Sequence, residues 1–350
     1  EEMMVEDASR VAVALTQAGQ NVLQVRYYTG SKPNDWIGIN VDASVTVTLD
    51  NNTGTGSTTS KLYFAANDHI LLPSDAERLG YTFSGWFTSA TGGQKVESGS
   101  VTATANVTYY AHWTANTYVV TITVPESEGY FESGSGQVYT MEVDVTFGSA
   151  FTLPVPYSKD GTRAFFGWYN EFGGTGTQYT DPDGASLEGR VWNLASDQTF
   201  YPSWVEAFSY TLIAHPDNPT QQSYAISQGP GINYLTKVTV PAMYNGLPVT
   251  TIESNCFARC AKLQVINIPD SIVQIFTGDN GSNGIGSAFY NCTGLKEIVI
   301  YDASASISGN YKQYFSTVDG VLIYDNPFGE TELAFIPLGI TGEFTIPDVV

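Results

Sequence analysis

The residues of this chain that could do chemistry are few, and their spacing suits little of it. Nucleophilic or general acid–base work needs a proton acceptor within reach of its partner, and the candidates are three histidines, His69, His112 and His215. His112 stands in an alternating pattern just before Trp113, His215 in a Pro- and Asn-rich turn, and His69 beside a loop. No G-x-S-x-G elbow, H-E-x-x-H pair, P-loop or G-x-G-x-x-G run occurs. The three cysteines, Cys256, Cys260 and Cys292, are too few and odd in number for a disulfide framework. A zinc site would need a fourth ligand, and the nearest preceding histidine, His215, is far away in sequence. They read as small buried apolar groups. Asp181-Pro182-Asp183-Gly184 and Asp279-Asn280-Gly281 carry oxygens of the kind calcium takes, but neither has the spacing or the closing Glu of an EF-hand. They read as turns, with calcium the alternative. The expectation is a chain that is not an enzyme, with no cofactor and no metal site.

Trp86, Trp113, Trp168 and Trp204 could offer stacking platforms to sugar rings. Their recurrence at matching positions argues for core, since a small module has few other large side chains to bury.

Composition limits the partners. With 35 acidic against 14 basic residues the formal net charge is −21, so nucleic acid and anionic membrane are repelled over most of the surface. Apolar residues make up 42%, aromatic 13% and charged 14%, enough to bury cores and too little charge for a disordered chain. A length of 350 residues implies two to four domains. No apolar run is long enough to span a bilayer, and the opening EEMMVEDASR lacks the order of a signal peptide. An export signal or wall anchor is therefore expected outside this stretch.

The elements that would position these residues repeat. Tyr81-Thr82-Phe83-Ser84-Gly85-Trp86-Phe87, Gly92-Gly93 and Tyr109-Tyr110-Ala111-His112-Trp113 are echoed by Phe165-Phe166-Gly167-Trp168-Tyr169, Gly173-Gly174 and Phe200-Tyr201-Pro202-Ser203-Trp204. The second copy is longer between its two tryptophans, which predicts a surface-loop insertion around Asp181–Arg190. An alternating stretch precedes each block, Ser44–Leu49 and Tyr118–Val124, the period of a half-buried strand. The pattern F-x-G-W-[FY], a Gly-Gly turn, an aromatic pair and a closing Trp resembles the InlB B-repeat, or Listeria–Bacteroides repeat. That resemblance implies small β-grasp-like modules used in tandem on bacterial surface proteins. Pro202-Ser203 in place of Ala111-His112 is a departure from it.

From about Phe208 the pattern changes. Leu235-Thr236-Lys237-Val238-Thr239-Val240-Pro241 recurs as Leu263-Gln264-Val265-Ile266-Asn267-Ile268-Pro269 and Leu295-Lys296-Glu297-Ile298-Val299-Ile300. Cys256-Phe257-Ala258-Arg259-Cys260 and Ala288-Phe289-Tyr290-Asn291-Cys292 each end three residues before the Leu. A turn followed by a short strand, repeated, is how leucine-rich repeats stack. The wording, with Asn245–Ile252, Phe315–Leu322 and Phe344–Asp348, resembles the BspA-like leucine-rich repeat. A Gly- and Asn-rich insertion near Phe276–Gly284 should bulge out, and the chain stops at Val350 without a polar cap.

Together these readings predict a mostly β chain of tandem small β-grasp-like modules followed by a partial leucine-rich-repeat solenoid, uncapped at its C-terminus. Residues 1–44 form a β segment, the end of a preceding domain or another module, with strands at Val22–Tyr28 and Trp36–Ile39. Module 1 covers 45–115, module 2 with its insertion 116–206, and the repeats 207–350. In L-x-x-[VI]-x-[VI] the Leu and the two β-branched residues point inward. Thr236, Lys237, Thr239, Gln264, Val265, Asn267, Lys296, Glu297 and Val299 are then displayed as the binding surface. The function expected is extracellular cell-surface adhesion or binding, to a protein on a host, matrix or neighbouring cell, with the modules as a stalk. Nucleic acid and direct membrane insertion are not expected, and self-association stays open. The alternatives are the non-catalytic region of a larger wall-active enzyme and a self-assembling filament subunit.

Overall fold

A computed structural model describes residues 22–29, 32–40, 43–54, 56–275, 287–304, 307, 312–325 and 330–340. Among these the chain is built of strands, with a 3-10 turn at Ile232–Tyr234 and no α-helix. The expected insertion near Phe276–Gly284, the Asp279-Asn280-Gly281 turn, the Phe344–Asp348 element and the expected bare end at Val350 all lie outside the described residues. The described residues fall into two compact units, one within 1–117 plus 146–148 and 193–195, the other the remainder up to 350.

In the first unit β1 (Val22–Thr29) and β2 (Lys32–Asn40) form an antiparallel pair, at the strands expected at Val22–Tyr28 and Trp36–Ile39. Then come β3 (Ala43–Asp50), β4 (Thr59–Ala65), β5 (Tyr81–Phe87), β6 (Lys95–Val96) and β7 (Val107–Ala115), in the sheet order β4-β3-β7-β5-β6. The inward face of β3, Val45, Val47 and Leu49, packs with Phe64, Trp86, Tyr109 and Ala111, while Thr46 and Thr48 on its outward face are half-buried. That is the two-residue period of a strand with one wet side.

The second unit opens with β8 (Thr117–Thr123), β9 (Gly129–Ser133), β10 (Gly136–Val138), β11 (Thr140–Thr146), β12 (Tyr157–Ser158), β13 (Arg163–Glu171), β14 (Thr175–Gln178) and β15 (Gln198–Glu206). The sheet order β11-β8-β15-β13-β14 repeats that of the first unit, including its central parallel pair, β3 with β7 in one and β8 with β15 in the other. The shared motif has a structural reason. Gly85 and Gly167 follow a register shift in the pairing of β5 with β7 and of β13 with β15. Their φ angles are +128° and +148°, a region open to glycine and costly for any residue with a Cβ. A small sheet, β10-β9-β12, is found only in this copy among the described residues.

The inserted stretch Asp181–Arg190 is half-buried or exposed except at Gly184. Just past it stands Trp192, which is 1% exposed and packs edge-on against Phe151 at 5.4 Å, with Tyr179 and Phe200 around it. A longer connection here carries an extra core side chain, which the spacing of the two flanking tryptophans could not show.

The same unit continues with β16 (Phe208–His215), β17 (Asn218–Gln228), β18 (Lys237–Thr239), β19 (Met243–Tyr244), β20 (Leu247–Ile252), β21 (Val265–Pro269), β22 (Gln274–Ile275), β23 (Glu297–Tyr301), β24 (Phe315–Val318), β25 (Val321–Asp325) and β26 (Thr331–Phe335). β16 and β17 form a long hairpin, and β17, β20 and β22 run parallel. β18, β21 and β23 form a second parallel stack.

Candidate functional site

The parallel stack is produced by the repeated Leu-x-x-[VI]-x-[VI] pattern. Val238, Val240, Leu263, Ile266, Ile268 and Leu295 are fully buried, Ile298 is almost so, and Leu235 and Ile300 are half-buried against the same core. Behind the strands, each repeat turns through its aromatic and cysteine positions. Phe257 and Phe289 stack at 5.4 Å with rings 4° apart, and Phe289 lies 4.7 Å from Phe335. The turns bond to one another, Phe257 N to Ala288 O at 2.8 Å and Arg259 N to Tyr290 O at 2.7 Å. Repeat is thus held to repeat on both sides of the core.

All three cysteines are buried and free. Cys292 Sγ donates to Cys260 O at 3.3 Å. Burial pushes the thiol of Cys260 up to about 11 and that of Cys292 up to about 12, and raises that of Cys256 well above its ordinary value. Thiolates are the reactive form, so these groups are core and not nucleophiles.

The outward positions align in lateral rows, because a parallel register with no shift brings equivalent residues side by side. Lys237, Val265 and Glu297 make one row, and Thr239, Asn267 and Val299 another. Thr236, Gln264 and Lys296 precede them and are joined by backbone bonds, Gln264 N to Thr236 O at 2.7 Å and Lys296 N to Gln264 O at 2.9 Å. Thr236, Lys237, Gln264, Lys296 and Glu297 are exposed, and Thr239, Val265, Asn267 and Val299 are half-buried. Asn267 Nδ2 donates to Thr239 Oγ1 at 3.0 Å. Lys296 Nζ lies 3.5 Å from Gln264 Oε1. The arrangement offers two amine cations, one carboxylate, two amides and two hydroxyls on a rigid sheet, with no nucleophile–base pair among them.

Other residues with chemical potential serve local structure. The His112 ring stacks on Phe87 at 3.9 Å and one of its nitrogens meets Ser89 O at 3.0 Å. His215 Nδ1 accepts from Asp217 N at 3.2 Å. Asp181 Oδ1 accepts from Asp183 N and Ala185 N, both at 2.9 Å, which is the side-chain-closed turn of an Asx residue. Trp86 and Trp168 are buried and donate to Pro73 O at 2.7 Å and Pro154 O at 2.9 Å, the same tether in both copies. Trp113 and Trp204 are half-buried and donate to Asn51 O and Glu128 Oε2. Among the described residues no group of three or more His, Cys, Asp or Glu side chains is placed to hold a metal ion.

Two further contacts border the face. Lys262 pairs with Asp183 of the inserted loop, with Nζ–O distances of 2.7 and 2.8 Å. On the other side the hairpin of β24 and β25 borders β23, Ile298 N donating to Gly320 O at 3.0 Å. The Lys262–Asp183 pair joins residues 79 apart in sequence, which repeat spacing does not connect.

Comparison with known proteins matches two parts of the chain. Residues 46–112 match the Listeria-Bacteroides repeat domain, and residues 250–316 match the BspA type leucine-rich repeat region. The chain is 31% identical over 156 residues to Internalin H of Listeria monocytogenes serovar 1/2a, which is 44% of this chain and 24% of that protein. It is 34% identical over 99 residues to a protein of Evansella cellulosilytica named "Putative membrane protein", 28% of this chain and 13% of that one. The chain therefore spans less than a quarter of the length of these relatives. A solved leucine-rich-repeat protein of T. pallidum aligns with 26% of the chain at 26% identity and a TM-score of 0.19. No helix among the described residues is long and apolar enough to cross a membrane. This mostly β chain thus carries a Listeria-Bacteroides repeat domain at residues 46–112 and a BspA-type leucine-rich repeat region at residues 250–316.

Proposed function

We propose that the chain is an extracellular, non-enzymatic part of a bacterial cell-surface protein that binds another protein through the outward face of β18, β21 and β23. In this reading residues 45–115 and 116–206 are β-grasp-like modules that set the reader apart from its attachment, residues 207–350 form a solenoid, and residues 1–44 belong to a preceding β element. The observation that carries it is the lateral register. Inward positions are uniformly apolar because stacking demands it, whereas Lys237, Val265 and Glu297 share one row with three different chemistries. A surface mixing charge, amide and aliphatic groups suits protein recognition better than capture of an ion or a polyanion. The matched relatives, an internalin and a protein named as a membrane protein, support a surface setting.

The test is a charge-reversed face, Lys237→Glu with Lys296→Glu and Glu297→Lys, assayed against a panel of immobilised extracellular-matrix and cell-surface proteins. These positions are exposed, so each change should alter stability by less than about 0.5 kcal/mol. Attachment should fall at least tenfold with the melting temperature kept. Unchanged attachment by a folded variant would remove the face from the account.

A further inference from the structure

An open parallel stack has an edge strand with free backbone groups and an end of core to cover. Here β18 is that strand, yet its outward amide is not free: Thr239 N donates to Gly161 O at 3.1 Å. Gly161 sits at φ +72° in the loop between β12 and β13, and a Cβ on it would lie 2.9 Å from Thr239 Oγ1 and 3.1 Å from Thr239 Cβ. The loop is fixed from within its own module. Asp160 Oδ1 accepts from Thr162 N at 3.0 Å, Thr162 Oγ1 at 2.7 Å and Ser158 Oγ at 2.9 Å.

Three more contacts join the same two regions. Gly231, at the entry to the 3-10 turn, donates to Glu206 O at 2.8 Å, and a Cβ there would meet Val205 O at 2.6 Å and Ala164 Cβ at 3.1 Å. Phe166 of β13 meets Tyr234 of that turn edge-on at 6.0 Å. Asp183, in the insertion that module 1 lacks, pairs with Lys262. We infer that the second module is the N-terminal cap of the repeat stack, so that the stack's core is closed only while residues 118–206 are folded against it. The inference does not rest on what the stack binds.

The cysteines supply the reporter, since all three lie in the stack's core and none in the module. Thiol labelling of the full chain in mild urea would be compared for wild type, Gly161→Val, Trp168→Ala and the control Gly189→Val. Gly189 has φ +71° with nothing within 4 Å of its Cβ position, so the control carries the same backbone strain without the contact. Gly161→Val and Trp168→Ala should each label at least tenfold faster than Gly189→Val. Equal labelling of the two glycine variants would overturn the proposal. So would thiols that stay protected in Trp168→Ala while the module's own near-ultraviolet signal melts.

Discussion

Trp86 and Trp168 occupy the same place in the two sheets, each buried and each tethered by its indole N–H to a proline carbonyl. Small modules bury too little surface to do without such side chains. Replacing either by Ala should cost about 3–5 kcal/mol, read as a lowered urea midpoint; a native-like midpoint would make them surface aromatics after all. The thiols give a pH signature. Free Cys ionises near pH 8.5, whereas Cys260 and Cys292 are held neutral up to about 11 and about 12. Between pH 9 and 11 the unfolded chain therefore binds fewer protons than the folded one, and stability must fall as pH rises through that window. A Cys260→Ser, Cys292→Ser variant should show a flatter fall in urea midpoint from pH 8 to 10.5. An equal fall in both would place the cause elsewhere.

At the scale of elements, the turn between the Phe and Cys positions sets a specific demand. Arg259 has φ +63° and its equivalent Asn291 has φ +56°. Asn tolerates that conformation and most residues with a Cβ resist it, at roughly 1 kcal/mol. Arg259→Asn should raise stability by up to about 1 kcal/mol, with thermal unfolding as the measure and a loss of stability as the contrary result. Alternation gave β3, because a one-sided sheet writes its period into the chain. The Leu-x-x-[VI]-x-[VI] spacing gave the stack and its inward residues. The hairpin of β16 and β17, the sheet of β9, β10 and β12, and the core position of Trp192 were not read. Their patterns are polar or short. The outward positions were legible as a set. That Thr239 would lie under Gly161 of a different module was not, since nothing in a repeat alignment encodes what packs on its edge.

For the whole molecule, the division into two compact units falls near residue 117 and not between the second module and the repeats. Function and fold then separate differently than a plain stalk-and-reader scheme implies. If recognition resides in the outward face of β18, β21 and β23, everything it needs is contained in residues 118–350. The most direct measurement is attachment of a chain lacking residues 1–115 to the proteins that the full chain binds. The account predicts affinity within about threefold of the full chain, and its loss when Lys237, Lys296 and Glu297 are charge-reversed in the shortened chain. Loss of attachment on removing residues 1–115, with the shortened chain still folded, would place recognition in the first module and contradict the account.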